Sequence, residues 1–326
     1  MPWIEPSLTW WRKAAALTLA LCIGVAPVAS ASGRRAQLRW VRHASMAQAR
    51  TEAAFANTKD ELYVIGGLSP SLLNTPTVEI YDVEDDRWRS GPTLPVAVNH
   101  AMGAAHEGDV YLAGGYLAAV LGATNTFFVL SGGTWTTLPP MPETRAAGSM
   151  VAVRDKLYVI GGFSQQGQLA STTLVYDTAA ESWSTIPGMR DPREHLSAVV
   201  QRGSVIVIGG RKGNPTTNSP TVERFDPRSG KWTRLPSMLQ PRSGHACALV
   251  GSRFVGCIGG EDAASAFATA EVFDTRARRW IQLPDVSPGR SGLGAAGFDD
   301  RLFTTFGGSE MGDLDVTESI GLSSLR

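Results

Sequence analysis

The stretch ELYVIGG at residues 61–67 decides the fold, because it returns five more times along the chain. It recurs as DVYLAGG at 109–115, KLYVIGG at 156–162, SVIVIGG at 204–210, FVGCIGG at 254–260 and LFTTFGG at 302–308. The first glycines of the six pairs are spaced by 48, 47, 48, 50 and 48 residues. Each copy is a short run of β-branched and aromatic residues closed by Gly-Gly, which reads as a buried strand ending at a turn. A fixed period of this length means one supersecondary unit repeated and stacked on its neighbours.

Working outward, the same period governs the tryptophans. Trp40, Trp88, Trp135, Trp183, Trp232 and Trp280 recur every 47 to 49 residues. Five of them follow a Gly-Gly pair by 20 to 22 residues, usually after an aromatic-Asp step such as Tyr81-Asp82, Tyr176-Asp177, Phe225-Asp226 or Phe273-Asp274. Before five of the six apolar strands lies a segment of small residues, such as Ala101 to Ala105 or Gly292 to Gly297. Such residues suit a strand crowded against others at a central axis. The repeated tryptophan supplies a large apolar surface for packing one unit on the next.

This succession resembles the kelch repeat over essentially the whole chain after residue 31. The resemblance implies an all-β protein, a six-bladed kelch-type β-propeller with four antiparallel strands per blade. Period and strand spacing point to the same architecture independently. Two departures are local: Val129-Leu130-Ser131 replaces the aromatic-Asp step in the second blade, and Arg224 sits mid-strand in the fourth. After Gly308 there is sequence for only one further strand, around Val316 to Ile320, and no seventh tryptophan. The segment Gln37 to Arg42, with Trp40 in register, is therefore expected to complete the C-terminal blade and close the ring.

The composition agrees with a globular domain. The chain has 326 residues, 30 basic and 30 acidic side chains, 43% hydrophobic residues and a mean hydropathy near zero. Zero formal charge argues against a phosphate-backbone binder, so no nucleic-acid partner is expected. At the N-terminus, Arg12-Lys13, the apolar run Ala14 to Ala26 and the triplet Ala29-Ser30-Ala31 read as a secretory signal peptide over residues 1–31. The mature chain, residues 32–326, is then one propeller, secreted or periplasmic, with no membrane attachment and expected to be a monomer. Cleavage leaves Cys247 and Cys257, which lie on adjacent strands of one hairpin. A register placing them opposite permits a disulfide, whereas a slip of one residue makes them separate buried thiols.

In an up-and-down blade, the loop leading into the innermost strand and the loop after Gly-Gly open on the same face. The leading loops carry Arg50, Val98, Arg145, Arg193, Arg242 and Arg290, so five arginines approach one mouth of the central channel. Glu52, His100, His195 and His245 lie beside them, and the loops after Gly-Gly add Arg211, Glu261 and Asp262. Two readings stay open. In one, a polar funnel binds an anionic peptide or saccharide through these side chains. In the other, the arginines bond loop carbonyls and neighbouring carboxylates.

No cofactor is expected. The sequence GLGAAG at 292–297 matches a dinucleotide-binding pattern but falls on an innermost strand with no helix after it. The five histidines lack close metal-ligand spacing, so no metal site is expected from spacing. The repeat nevertheless brings His100, His195 and His245 toward the mouth, the one route by which a site across blades would arise. The favoured function is non-catalytic recognition of a protein or glycan. Two enzymatic readings stand beside it. One is a carbohydrate-active enzyme similar to the exported kelch sialic-acid mutarotases, with Glu261 or Asp262 as base and Arg242, Arg211 or His245 as partners. The other is a copper radical oxidase similar to galactose oxidase, which needs a cysteine-linked tyrosine, a second tyrosine and two histidines.

Overall fold

The computed structural model describes residues 38–118 and 121–325. The expected signal peptide lies outside them. The described residues form six four-stranded antiparallel blades. Blade 1 runs Ala54–Asn57, Glu61–Ile65, Val78–Asp82 and Arg87–Ser90 from the axis outward, and blades 2 to 5 repeat this order.

The motifs are accounted for by the turns and pairings they make. The aspartate of the aromatic-Asp step ends the third strand and caps the turn after it. Asp82 Oδ1 accepts from the amides of Glu84 and Asp85, and Asp177 and Asp274 do the same for the two residues in their own turns. The aromatic residue faces the blade's tryptophan across the outer strand pair, with ring centroids 5.1 Å apart for Tyr81 and Trp88 and 4.9 Å for Phe225 and Trp232. Blade 2 departs from this rule with its own solution. Its outer hairpin turns through Gly132 and Gly133, both at positive φ, in the two-residue loop that suits twisted strands and needs no capping aspartate.

The tryptophans also staple neighbouring blades. Their indole N–H groups donate to a main-chain carbonyl 43 or 44 residues earlier: Trp88 to Ala44, Trp135 to Pro92, Trp183 to Pro139 and Trp280 to Pro236, each at 2.9 Å. Trp40 reaches Pro284 across the seam at 2.8 Å. Trp232 is the exception, with its indole nitrogen buried and without a partner among the described residues.

Closure follows the expected scheme. Trp40–Arg42 pairs antiparallel with Gly312–Gly321, Trp40 opposite Ile320, and makes the outermost strand of blade 6. The expectation of one short strand after Gly308 needs correction. The second strand of blade 6 runs on through the Gly-Gly pair, Arg301–Ser309, and turns back at once into Gly312–Gly321, with a register irregularity between Thr305 and Gly307. Where blades 1 and 3 to 5 place a loop after Gly-Gly and blade 2 a separate small hairpin, Tyr116–Ala118 with Leu121–Ala123, blade 6 extends its own strands.

Two closed circuits of backbone hydrogen bonds tie the blades together. In the first, the amide of a glycine in each Gly-Gly pair donates to the carbonyl of the next blade's leading-loop arginine, or to Val98, at 2.8 to 3.0 Å. The first glycine of blade 2 shows why no side chain is tolerated. Gly114 has φ +63°, and a Cβ there would lie 2.0 Å from the Arg145 carbonyl oxygen. In the second circuit, nearer the axis, Glu52, His100, Ala147, His195, Gly244 and Gly292 each donate to the carbonyl of the preceding member, Glu52 closing onto Gly292, at 2.8 to 3.0 Å.

Candidate binding site at the channel mouth

All five leading-loop arginines are sealed inside the blades, each no more than 1% exposed. The cause is repeated from blade to blade. Arg145 Nη1 donates to the carbonyl of Gly161 at 3.0 Å, Arg193 Nε to Gly209 at 2.7 Å and Arg242 Nη1 to Gly259 at 2.5 Å, in each case the first glycine of the same blade's pair. Carboxylates on the third strand answer the charge: Glu79 for Arg50, Glu223 for Arg193, Glu271 for Arg242 and Glu318 for Arg290. Blade 3 has Leu174 at that strand position, and Glu143 pairs with Arg145 instead. Blade 2 replaces the whole pair with Val98 and Phe128, which are buried in one apolar cluster. Burial pulls the pKa of Arg50, Arg145, Arg242 and Arg290 down, and their carboxylate partners pull it back up. These arginines therefore join the leading loop to the Gly-Gly turn, and a ligand in the mouth would not reach them. The picture of an arginine-lined funnel is corrected accordingly.

What lines the mouth is the residue two places after each arginine. Glu52, His100, Ala147 and His195 have φ between 48° and 56°, and Gly244 and Gly292 have φ +60° and +59°. This shared left-handed turn is the second hydrogen-bonded circuit, and its side chains face the axis around a neck of about 100 Å³. Beyond the neck, the channel between the small-residue strands holds a cavity of about 380 Å³. His100 and His195 approach edge to face with ring centroids 5.0 Å apart, and Glu52 Oε2 lies 3.4 Å from His100 Nε2.

A charged chain braces one side of the neck. Arg211 Nε donates to Glu194 Oε1 at 2.8 Å, its Nη1 donates to Glu261 Oε1 at 2.6 Å, and Ser291 Oγ donates to Glu261 Oε2 at 3.0 Å. Glu194 also bonds His195 Nδ1. Burial, helped by the Arg211 charge, lowers the His100 pKa to about 4 and holds His195 well below the usual value. Glu52 is pushed up to about 7 by burial and by Glu261, against the opposing pull of Arg211.

His245 sits one residue beyond the neck position, at Arg242 plus three, and the extra step takes it off the axis. It is buried against Gly209, with neither ring nitrogen hydrogen-bonded among the described residues, and desolvation followed by the Arg242 charge lowers its pKa to about 3. Cys247 and Cys257 lie opposite one another in register and are joined by a disulfide. That bond removes the thiol a cysteine-linked tyrosine would need. The acid and base set of the mutarotase-like reading does not assemble either. Arg242 and His245 are buried, Glu261 is held by Arg211 and Ser291, and Asp262 caps its own loop through the amides of Ala264 and Ser265.

The outer face around the mouth has a second character. Among the described residues, six large hydrophobic side chains are exposed, and five of them lie on this face, four on loops or turns and Leu117 on the short strand Tyr116–Ala118 that follows the blade 2 Gly-Gly pair. Leu72 and Leu73 on the blade 1 loop after Gly-Gly are 67% and 66% exposed, Leu117 in blade 2 is 48% exposed and Met311 at the blade 6 hairpin tip is 80% exposed. Leu239, in the loop leading into blade 5, is the fifth. Blades 6, 1 and 2 are consecutive around the ring, so the first four form an arc. Sequence reasoning missed this arc because isolated leucines in loops carry no periodic signal. Glu52 carried one, since it shares the repeat position of His100 and His195.

Fold and mouth define a propeller scaffold with a shaped axial neck and an apolar loop rim. The chain belongs to the kelch-repeat family. Residues 99–308 match the KLHDC2/KLHL20/DRC7 Kelch-repeats domain and residues 49–95 match the Kelch motif. It is similar to Kelch-like protein terF of Aspergillus terreus, with 36% identity over 139 residues, covering 39% of this chain and 29% of that protein. It is also similar to Kelch repeat protein M-T8 of Myxoma virus, with 29% identity over 125 residues, covering 38% of this chain and 24% of that protein. Beta-scruin of Limulus polyphemus is 30% identical over 146 residues, covering 42% of this chain and 16% of that protein. The chain thus spans less than a third of the length of each of these relatives. Kelch propellers typically serve as protein-binding modules.

Proposed function

We propose that the protein is an exported recognition module without catalytic activity, secreted or periplasmic after removal of residues 1–31, that acts as a monomer and holds a protein partner on its mouth face. The observation that carries this reading is the exposed arc of Leu72, Leu73, Leu117 and Met311, gathered from three adjacent blades onto one rim. Apolar side chains exposed together on one face are the usual mark of a protein-contact surface. A glycan site would call for unengaged polar side chains at the rim, whereas Arg211, Glu194 and Glu261 are occupied with one another. The Cys247–Cys257 disulfide supports an oxidising compartment.

The test is capture of exported proteins from the native host by the mature chain, compared with a Leu72→Glu, Leu73→Glu, Met311→Glu variant. The captured partner is then purified and its affinity for both forms measured. A loss of at least tenfold in the variant supports the reading. A partner that binds both forms alike, or acidic glycans that bind where no protein does, would overturn it. N-terminal sequencing of the exported protein should begin at Ser32.

A further inference from the structure

We propose that the neck of the channel binds one divalent cation of the zinc class, with Glu52, His100 and His195 as its protein ligands. This inference is independent of the protein-recognition reading, since the neck and the apolar rim share no residue. The nitrogen and oxygen donor atoms of the three side chains all lie within 4.8 Å of one another, although they come from three different blades. Two imidazoles and a carboxylate suit borderline divalent ions, and three protein ligands with an open remainder describe an exchangeable site more than a closed structural one.

The hydrogen bonds behind the histidines make the argument specific. Asn74 Nδ2 donates to the Tyr116 carbonyl at 2.9 Å, and Asn99 Nδ2 donates to Asn74 Oδ1 at 2.5 Å. Asn99 Oδ1 is thereby turned to accept from His100 Nδ1. His195 Nδ1 donates in the same way to the Glu194 carboxylate. With Nδ1 protonated in both rings, each Nε2 presents a lone pair, the arrangement in which outer partners orient metal-ligating histidines. The result is that the His100 Nε2 lone pair faces Glu52 Oε2 at 3.4 Å, one acceptor against another. Either a proton or a cation relieves that opposition. Glu52, Glu194 and Glu261 against Arg211 give the neck a formal charge of −2 when all are ionised, which favours the cation. Ala147, Gly244 and Gly292 complete the circuit with no donor side chain. The remaining positions on the metal therefore fall to water or to a ligand group entering the neck from the mouth.

The experiment uses untagged mature protein treated with a chelator and dialysed, then titrated with Zn²⁺ by calorimetry and with Co²⁺ by visible absorption. We expect one ion per chain and visible Co²⁺ bands from mixed nitrogen and oxygen ligation. Glu52→Gln and His195→Asn should each weaken Zn²⁺ binding at least tenfold, asparagine being chosen because it tolerates the left-handed backbone. Glu194→Gln, which removes no ligand atom but weakens the partner of His195 Nδ1 and the pairing with Arg211, should weaken it about 10- to 100-fold. His106→Asn is the control, because His106, Glu107 and Asp155 form a separate cluster, and it should leave binding unchanged. Circular dichroism verifies that each variant is folded. Absence of Zn²⁺ and Co²⁺ binding, or binding abolished by His106→Asn but not by Glu52→Gln, overturns the proposal and leaves a proton on Glu52 as what separates the two acceptors.

Discussion

Replacing Arg242 by valine tests whether the repeated arginine is part of the fold or part of a ligand site. Arg242 donates to the Gly259 carbonyl at 2.5 Å, to the Thr269 carbonyl at 2.9 Å and to Glu271 Oε1 at 3.1 Å. The glutamate side chain is only 3% exposed, and its other oxygen accepts from the Leu239 amide at 2.8 Å. Arg242→Val therefore takes the charge partner from a buried carboxylate and the side-chain donor from the Gly259 carbonyl, while the Thr269 carbonyl keeps the Gly259 amide. Breaking a buried pair in this way costs about 3–5 kcal/mol, which for a chain of this size corresponds to a fall in Tm on the order of 10 °C. Blade 2 already carries the apolar alternative, Val98 with Phe128. Arg242→Val combined with Glu271→Phe should accordingly recover at least half of the single-mutant loss, giving a coupling energy of about 2 kcal/mol or more between the two positions. The assay is urea and thermal unfolding of the wild type, both single variants and the double variant, followed by tryptophan fluorescence. If Arg242→Val alone melts within about 1 °C of wild type, against the drop this argument requires, the structural role assigned to the arginines is wrong. If the double variant loses the sum of the singles, the partnership with Glu271 is wrong.

Four further outcomes follow from the same geometry. Deleting residues 32–42 removes the strand paired with Gly312–Gly321 and the Trp40 to Pro284 staple, so Tm should drop sharply in differential scanning calorimetry, and an unchanged Tm would refute the closure. Trp183→Phe breaks the bond to Pro139, whereas Trp232→Phe removes an indole nitrogen that has no partner among the described residues; in urea titrations the first should be more destabilising by about 1 kcal/mol. Replacing both Cys247 and Cys257 by alanine should cost up to about 2.5 kcal/mol for a loop of this length, read as a lower urea midpoint. His245 has a folded pKa of about 3 against an ordinary value near 6.5. A depressed histidine contributes stability that is complete above pH 6.5 and is lost as pH falls toward 3. His245→Leu should therefore flatten the acid limb of the stability profile by up to about 1.4 kcal/mol per pH unit, and an unaltered limb would show that His245 is not held neutral.

The fold was legible because its determinants are local and repeated. Gly-Gly, aromatic-Asp and tryptophan each mark a turn or a pairing that must recur in every blade. The seam was legible for the same reason, since Trp40 stands in register with five others. The mouth was read less well. The sequence places the five arginines on the correct loops, but whether a guanidinium faces solvent or a buried carbonyl depends on a glycine 16 or 17 residues later and on a glutamate on a third strand. His245 illustrates the limit most clearly. One residue separates it from the repeat position of His100 and His195, and in a left-handed turn that single step carries a side chain from the axis into the space between blades. In the last blade, sequence spacing gave the strand but not its length, because a two-residue turn at Glu310 and Met311 replaced the usual loop.

The backbone circuit through Glu52, His100, Ala147, His195, Gly244 and Gly292 runs in one direction only, each amide donating to the blade before it. Every link has nearly the same length, and the circuit meets itself after six. The neck thus joins all six blades as well as bordering the pore. A chain with one repeat inserted or lost would have to bend every one of these links to close, so for this protein a change in blade count is a redesign of its axis.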